Sequence, residues 1–379
     1  MSLESQIKQF FLERGASGVG ITHLESPPHY LQYVQWVEAG LHGSMSYLET
    51  ERARALRENP RDILPSARSV VLVALPIAQP KPASDSEKSS MKGRIASYAW
   101  GEDYHLVFPR LFQDFMEWLT QKLGSTPQAK WYTDTGPVLE RDLASRAGLG
   151  WIGKNTCLNH PRKGSFFLLG EIFLELDLEA DPPFSTDHCG TCTRCIDACP
   201  TQCIRPDRTL DASRCISYLT IENKGSIPVE LREKMGNWIF GCDVCQQVCP
   251  WNVRFGNAEP YPAFYPREGV PEPDLAEEML LDPIGFNRKF KNSPIQRPRR
   301  RGYLRNVAIA LGNAQDERAI PALMTGITED PEPLVRQHAV WALGQYSSQR
   351  VREFLSQRLK EEGDAVVREE IEQVLSLDG

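Results

Sequence analysis

Apolar and polar positions along the first half of this chain fall into two periods that take turns. Apolar residues recur at helical spacing from Leu3 to Phe11 and from Val107 to Leu123. Shorter apolar runs lie between and after these stretches. Ser69 to Leu75 reads as a buried strand ended by Pro76, and Lys130 to Thr133 as a short strand. Asp134-Thr-Gly-Pro137 is a turn, and Val138 to Ala147 a helix stopped by Gly148. Phe166 to Leu178, partly alternating, is another strand. Elements in this order predict an α/β domain over residues 1–178. Gln79 to Lys92, polar and rich in Pro and Ser, reads as an exposed loop within it.

The second half is patterned differently. Residues 179–255 form a compact cysteine-rich segment, expected to take its core largely from whatever the cysteines bind. Residues 256–300 read as a linker, rich in Pro and acids up to 287 and ending in a basic patch. From Arg288 to Arg305 there are eight Lys or Arg residues and no acid. Beyond that the chain repeats itself. Ala308-Ile-Ala-Leu-Gly312 recurs as Val340-Trp-Ala-Leu-Gly344, and Val335-Arg336 as Val367-Arg368, both offset by 32. Helix pairs at this period are similar to HEAT repeats, so residues 301–379 are expected to be α-helical. Two repeats bury too little surface to stand alone, so the module should dock on what precedes it. The fold class expected is thus a multidomain α/β and α+β chain: an α/β domain, a ferredoxin-like cysteine domain and HEAT-like repeats.

The net charge of −7 excludes a chain that coats nucleic acid by bulk electrostatics, while leaving room for a local basic patch. Hydrophobic content of 41% is enough for real cores. No apolar run approaches the ~18 residues of a spanning helix. The start has neither a basic n-region nor a cleavage site, so a soluble cytoplasmic protein is expected.

Eight of the ten cysteines carry the clearest chemistry. The first block reads Cys189-x2-Cys192-x2-Cys195-x3-Cys199-Pro200, the second Cys242-x2-Cys245-x3-Cys249-Pro250, and Cys215 stands between them. The first spacing is that of two-cluster ferredoxins, in which the fourth cysteine ligates the other cluster. Crossing both blocks gives Cys189, Cys192, Cys195 and Cys249 to one [4Fe-4S] cluster. Cys199, Cys242 and Cys245 then go to the second, with Cys215 as its remaining ligand. Zinc sites more often use separated C-x2-C pairs, and disulfides suit small secreted chains. A third cysteine at x2 spacing and two Cys-Pro endings favour the clusters. Cys157 and Cys203 read as ordinary small buried residues.

Other motifs are weaker. Gly148-Leu-Gly-Trp-Ile-Gly153 satisfies G-x-G-x-x-G, but a helix precedes it where phosphate motifs need a strand, and Asn155 stands where a P-loop has Ser or Thr. It reads as a glycine-rich helix stop that could approach some other large cofactor. Asp134 ends a strand under a turn. Pattern alone favours a structural role and leaves open a general acid raised by burial. Arg297, Arg299, Arg300, Arg301 and Arg305 form either a solvated face or a phosphate-binding surface. His42, His105 and His160 read as structural.

Several long segments together resemble one family, the epoxyqueuosine reductases. They are His42-Gly-Ser-Met-Ser-Tyr-Leu48, Gly93-Arg-Ile-Ala-Ser-Tyr-Ala-Trp-Gly-Glu-Asp-Tyr-His105, Asp134-Thr-Gly-Pro137 with Gly150-Trp-Ile-Gly-Lys-Asn155, and Gly164-Ser-Phe-Phe-Leu-Leu-Gly-Glu171. The cysteine blocks, Arg214-Cys-Ile-Ser-Tyr-Leu-Thr-Ile-Glu222 and Leu304-Arg-Asn-Val-Ala-Ile-Ala-Leu-Gly-Asn313 complete the set. The resemblance implies base-off cobalamin in the N-terminal domain beside one of two [4Fe-4S] clusters, fed by an external low-potential electron donor. It implies reduction of the epoxide on a queuosine-type wobble base of tRNA, with Asp134 as proton donor. It places Arg57, Ser97, Asp134, Asn155, Ser165, Ser217 and Asp243 around the corrinoid. The basic run and the tail would hold the tRNA backbone, in a cytoplasmic monomer. A corrinoid reductive dehalogenase and a ferredoxin-type carrier with an interaction module are the alternatives. The first would usually carry an export signal, and the second leaves the N-terminal domain without a role.

Overall fold

The computed structural model describes residues 1–80, 91–256 and 258–377. Most of the loop expected over Gln79 to Lys92 therefore lies outside the described residues. The chain divides into two compact units that interleave along the sequence. One comprises Met1–Pro80, Gly101–Ser213 and Asp243–Tyr265, the other Lys81–Trp100, Arg214–Cys242 and Pro266–Gly379. Linear segments bounded at 178, 255 and 300 do not coincide with these units.

The first unit is built on a sheet of four strands, β1 (Gly18–His23), β2 (Ser69–Pro76), β3 (Ala129–Tyr132) and β4 (Phe167–Leu174), in the order β1-β2-β4-β3. Every pairing is antiparallel. Alternation of helix and strand predicts an α/β domain and leaves strand direction open. Alternation records only that helices separate the strands, while direction depends on where each helix returns the chain. All eight residues of β2 are buried, as befits a central strand.

Helices cover both faces of the sheet. Tyr104–Leu123 is capped by Asp103, whose side chain accepts from the His105 N–H, and it stops at Gly124 with φ of 72°. Its stripe of Phe108, Leu111, Phe112, Phe115 and Leu119 is buried, and Phe112 meets Trp131 of β3 edge-on at 6.4 Å. Each such side chain contributes about 1.5–3 kcal/mol by leaving water. On the opposite face, Val70, Leu72 and Phe173 pack with Val138, Leu143, Ala144 and Ala147 of the short helix Glu140–Arg146 and its approach. That layer carries the Asp134 turn.

The second unit is mainly helical. Its central helix, Arg299–Ala314, is buried almost throughout from Gly302. Ile320–Glu329, Pro333–Leu343, Gln349–Glu361 and Ala365–Leu377 follow. The recurring glycines explain the repeat: a Cβ on Gly312 would sit 2.8 Å from Ala342 Cα, and one on Gly344 2.6 Å from Val374 Cγ1. Identical spacing along the chain thus gives two equivalent close helix crossings. The array does not stand alone. Asn306 Nδ2 donates to the carbonyls of Thr220 and Ile239, and Asn313 Nδ2 to those of Arg232 and Gly236. The stretch from Arg214 to Cys242 is therefore joined to the repeats, with its own apolar anchors Ile216, Leu219, Leu231, Ile239 and Phe240 buried. The Pro- and acid-rich segment is likewise more than a surface linker, since Leu275, Phe286 and Phe290 are buried. Among the described residues no helix is long and apolar enough to cross a membrane.

Candidate active site

Asp134 follows β3 with φ of 61°, the left-handed region that costs a side-chain-bearing residue about 1–3 kcal/mol unless its surroundings hold it there. Three groups of the first unit do so. The Tyr104 hydroxyl donates to Asp134 Oδ2 at 2.8 Å, and His105 Nε2 lies 3.9 Å from the same oxygen. The Asp134 N–H donates to a Glu140 carboxylate oxygen at 2.5 Å. His105 is itself oriented from below, its Nδ1 2.8 Å from Asp103. The Tyr104 and His105 rings lie tilted at 30° with centroids 4.1 Å apart. The Asp134 side chain is 67% exposed, so this chain does not bury the carboxyl that the acid role was expected to need.

Tyr104, His105 and Glu140 were missed as site residues by sequence reasoning. The first two sit in the Gly-Glu-Asp-Tyr-His stretch, which gave a usable signal. Glu140 at a helix start carries no signal beyond favourable interaction with the dipole. Behind it lies Glu171 of β4, fully buried. Burial, then the charge of Asp134, push the Glu140 carboxyl up to about 7. Burial, then Glu140, hold Glu171 well above the ordinary carboxylate range.

The residues expected around a corrinoid fall in both units. Arg57, Asn155, Ser165 and Asp243 belong to the first, Ser97 and Ser217 to the second. Arg57 is buried, donates to the Ala53 carbonyl and lies over the Tyr33 ring at 5.3 Å. The Ser165 hydroxyl donates to Gln246 and its N–H to Asn252 Oδ1, which ties it to the second cysteine block. Asn155 is the informative one. Its Oδ1 accepts from the Cys157 N–H, while its buried Nδ2 meets no acceptor among the described residues. Gly150, with φ of 153°, lets the backbone pass where a Cβ would lie 2.1 Å from the Asn159 carbonyl. The glycine run thus serves close backbone approach and follows no phosphate-loop geometry.

Around the first cysteine block, the Cys192 N–H donates to the Cys189 carbonyl at 2.9 Å, closing the x2 loop. Trp151 Nε1 donates to Cys189 Sγ at 3.5 Å, and Lys154 Nζ to the carbonyls of Gly190 and Cys192. Burial, then Cys189, push the Cys195 thiol up to about 11, with Cys249 adding to the effect. Thiols of the two cysteine blocks therefore share one electrostatic neighbourhood. Cys199 Sγ lies 3.5 Å from Cys203 Sγ and 3.6 Å from Thr201 Oγ1, and hydrogen bonding, first from Cys203, draws it down to about 5 despite burial. Cys215 begins the helix Ile216–Ile221 in the other unit.

The basic run needs correction at its end. Arg305 is 0% exposed, and its guanidinium donates to the carbonyls of Leu219, Asn223 and Gly225 and to Asn306 Oδ1. It holds the fold and is not available to a phosphate. Arg300 pairs with Asp330 and the Leu281 carbonyl, and Arg297 with Glu222. Arg299 and Arg301 are exposed. Replacing Arg305 by Leu is expected to cost about 3–5 kcal/mol, because several buried carbonyls lose a charged donor at once. Denaturant unfolding measures this; a cost below that of an ordinary surface substitution would contradict the bracing role.

Three family models match the chain: epoxyqueuosine reductase QueG over residues 57–135, a 4Fe-4S double cluster binding domain over 188–252, and HEAT repeats over 301–376. The epoxyqueuosine reductase of Xanthomonas campestris pv. campestris is 39% identical over 344 residues, covering 90% of this chain and 96% of that protein. A crystal structure of epoxyqueuosine reductase with a tRNA-Tyr epoxyqueuosine-modified stem loop matches with a TM-score of 0.89 at 30% identity, covering 99% of this chain and 98% of that one. The Bacillus subtilis epoxyqueuosine reductase, solved with its catalytic aspartate loop swung out of the active site, matches with a TM-score of 0.88 at 29% identity over 99% of this chain and 98% of that one.

Proposed function

Because this chain belongs to the epoxyqueuosine reductase family, we propose that Asp134 is the proton donor in its reaction, the reduction of epoxyqueuosine to queuosine in tRNA. The full-length correspondence to a relative bound to an epoxyqueuosine-modified stem loop carries this reading. Removing the epoxide oxygen as water takes two electrons and two protons. Among the side chains described at this site none is a reductant, so electrons must arrive from an external low-potential donor through the double cluster.

We assign Cys189, Cys192, Cys195 and Cys249 to one [4Fe-4S] cluster and Cys199, Cys215, Cys242 and Cys245 to the other. The shared neighbourhood of Cys189, Cys195 and Cys249 supports the first set. Cobalamin, when bound, supplies the reducing and nucleophilic metal centre that no amino acid provides. The donor set fits such a group: Asn155 presents a buried N–H without an acceptor among the described residues, beside glycines that keep the backbone bare. Asn155, Arg57, Ser165 and Asp243 would hold it.

Asp134 then protonates the departing oxygen. Tyr104 and His105 keep its carboxyl aimed while substrate entry excludes water, which replaces the burial the free chain does not supply. The wobble base belongs to an anticodon loop, where unstacked bases are open to a pocket. Single-turnover conversion of epoxyqueuosine-containing tRNA by reconstituted, cobalamin-loaded enzyme with a chemical reductant tests the whole reading. Failure to bind corrinoid, or to form queuosine, overturns it.

Arg299 and Arg301 are the members of the basic run left to meet tRNA phosphates without reading sequence. Replacing both by Ala should weaken tRNA binding and reduce the slope of log K against log salt by roughly one to two units. An unchanged slope in a salt titration would show that they only face solvent.

A further inference from the structure

Glu171 is a carboxyl where an apolar side chain would serve the core better. It stands on β4, opposite Leu72 on one side and Tyr132 on the other, on the face covered by the helix Glu140–Arg146. It is wholly buried, and neither of its oxygens meets a hydrogen-bond donor among the described residues. What it meets is the Glu140 carboxyl. Two carboxyls in contact cannot both ionise in such a place, so the pair holds a proton between them. Glu140 also accepts from the Asp134 N–H through a carboxylate oxygen.

We propose that Glu171 is a positioning residue: as a neutral acid it donates a hydrogen bond to Glu140, and Glu140 so aimed clamps the Asp134 N–H and keeps the Asp134-Thr-Gly-Pro137 turn closed. The consequence for catalysis rests on the reading of Asp134 as proton donor; the clamp itself does not. It explains how an aspartate with positive φ and an exposed side chain stays in one conformation. The charged groups that face the pair are Asp134 and Arg141 beside Glu140, and beyond Asp134 stand Tyr104 and His105. Both glutamates bind protons more tightly in the folded chain than in the unfolded one. Their contribution to stability is therefore present at acid pH and is lost as pH rises from the ordinary carboxylate range through about 7 and beyond. The clamp should accordingly loosen on the alkaline side.

The test compares wild type, Glu171→Leu and Glu171→Gln, each carrying its clusters and cobalamin, by amide hydrogen exchange of residues 133–139 and by single turnover across pH. Glu171→Leu should expose the segment to faster exchange and lower kcat by about a hundredfold with KM unchanged. Glu171→Gln, which donates to Glu140 at every pH, should restore protection and turnover, and keep both at alkaline pH where wild type loses them. Wild-type exchange in Glu171→Leu, or a Gln variant that behaves like Leu or like wild type at alkaline pH, overturns the proposal. If Glu171→Leu does not fold, the alkaline behaviour of Glu171→Gln decides alone. Full activity of Asp134→Asn alongside the expected exchange pattern would remove the acid role and leave the clamp standing.

Discussion

Asp134→Asn is expected to lower single-turnover conversion of epoxyqueuosine tRNA by about 10²–10⁴-fold, the usual contribution of a placed general acid. Asparagine tolerates the positive φ, keeps the N–H that Glu140 receives, and offers Tyr104 an acceptor of the same shape. Only the transferable proton is gone. Iron content, corrinoid binding and tRNA affinity should therefore match wild type, so the loss falls on kcat. The rate is to be measured with reduced, cofactor-loaded enzyme and excess enzyme over tRNA, which separates chemistry from product release. Wild-type conversion would exclude Asp134 from proton transfer. A parallel loss of corrinoid would show that the side chain supports binding instead.

Loss of turnover should be as complete in Cys195→Ser, for a different reason. A serine hydroxyl is a far poorer ligand to iron than a thiolate, so one cluster should fail to assemble and reconstituted iron should fall from about eight atoms to about four. Cys203→Ala provides the contrast. Its thiol lies beside Cys199 in a buried setting, and we count it outside both ligand sets. That variant should keep about eight irons. Iron analysis and the spectra of the oxidised and reduced protein check both. Full iron in Cys195→Ser, or half in Cys203→Ala, would redraw the ligand sets.

These two residues also mark where sequence was informative. Cysteine spacing is dictated by cluster geometry, which is local and nearly independent of the rest of the chain, so the blocks declared themselves. The 32-residue repeat did so too, because each Gly must sit at a close crossing. The buried run of β2 and the helix from Tyr104 were plain from periodicity. Strand β1 was not: Gly18-Val-Gly-Ile-Thr-His23 carries two glycines and depends on pairing with β2 for its existence. Sheet direction was equally hidden, since it follows from connections and not from pattern.

The harder cases involve side chains whose meaning lies in distant partners. Arg305 sits in a run of Arg and Lys that looks solvated, yet the carbonyls it serves belong to residues 219–225. Glu171 reads as one more polar position in a partly alternating strand. Nothing near it in sequence announces that Glu140 will face it. Asp134 was legible as a turn residue, and the acid role proposed for it came only by resemblance, because a carboxyl at a strand end has many bland uses.

The helix Arg299–Ala314 reaches into the stretch that carries Cys215 and Cys242, through Arg305, Asn306 and Asn313. A shortened version of this protein ending near residue 298 would thus strip hydrogen-bond partners from the peptide that presents two of the thiolates assigned to one cluster. What looks like an appended tail is scaffolding for the peptide from Arg214 to Cys242, whose carbonyls would be left bare without it.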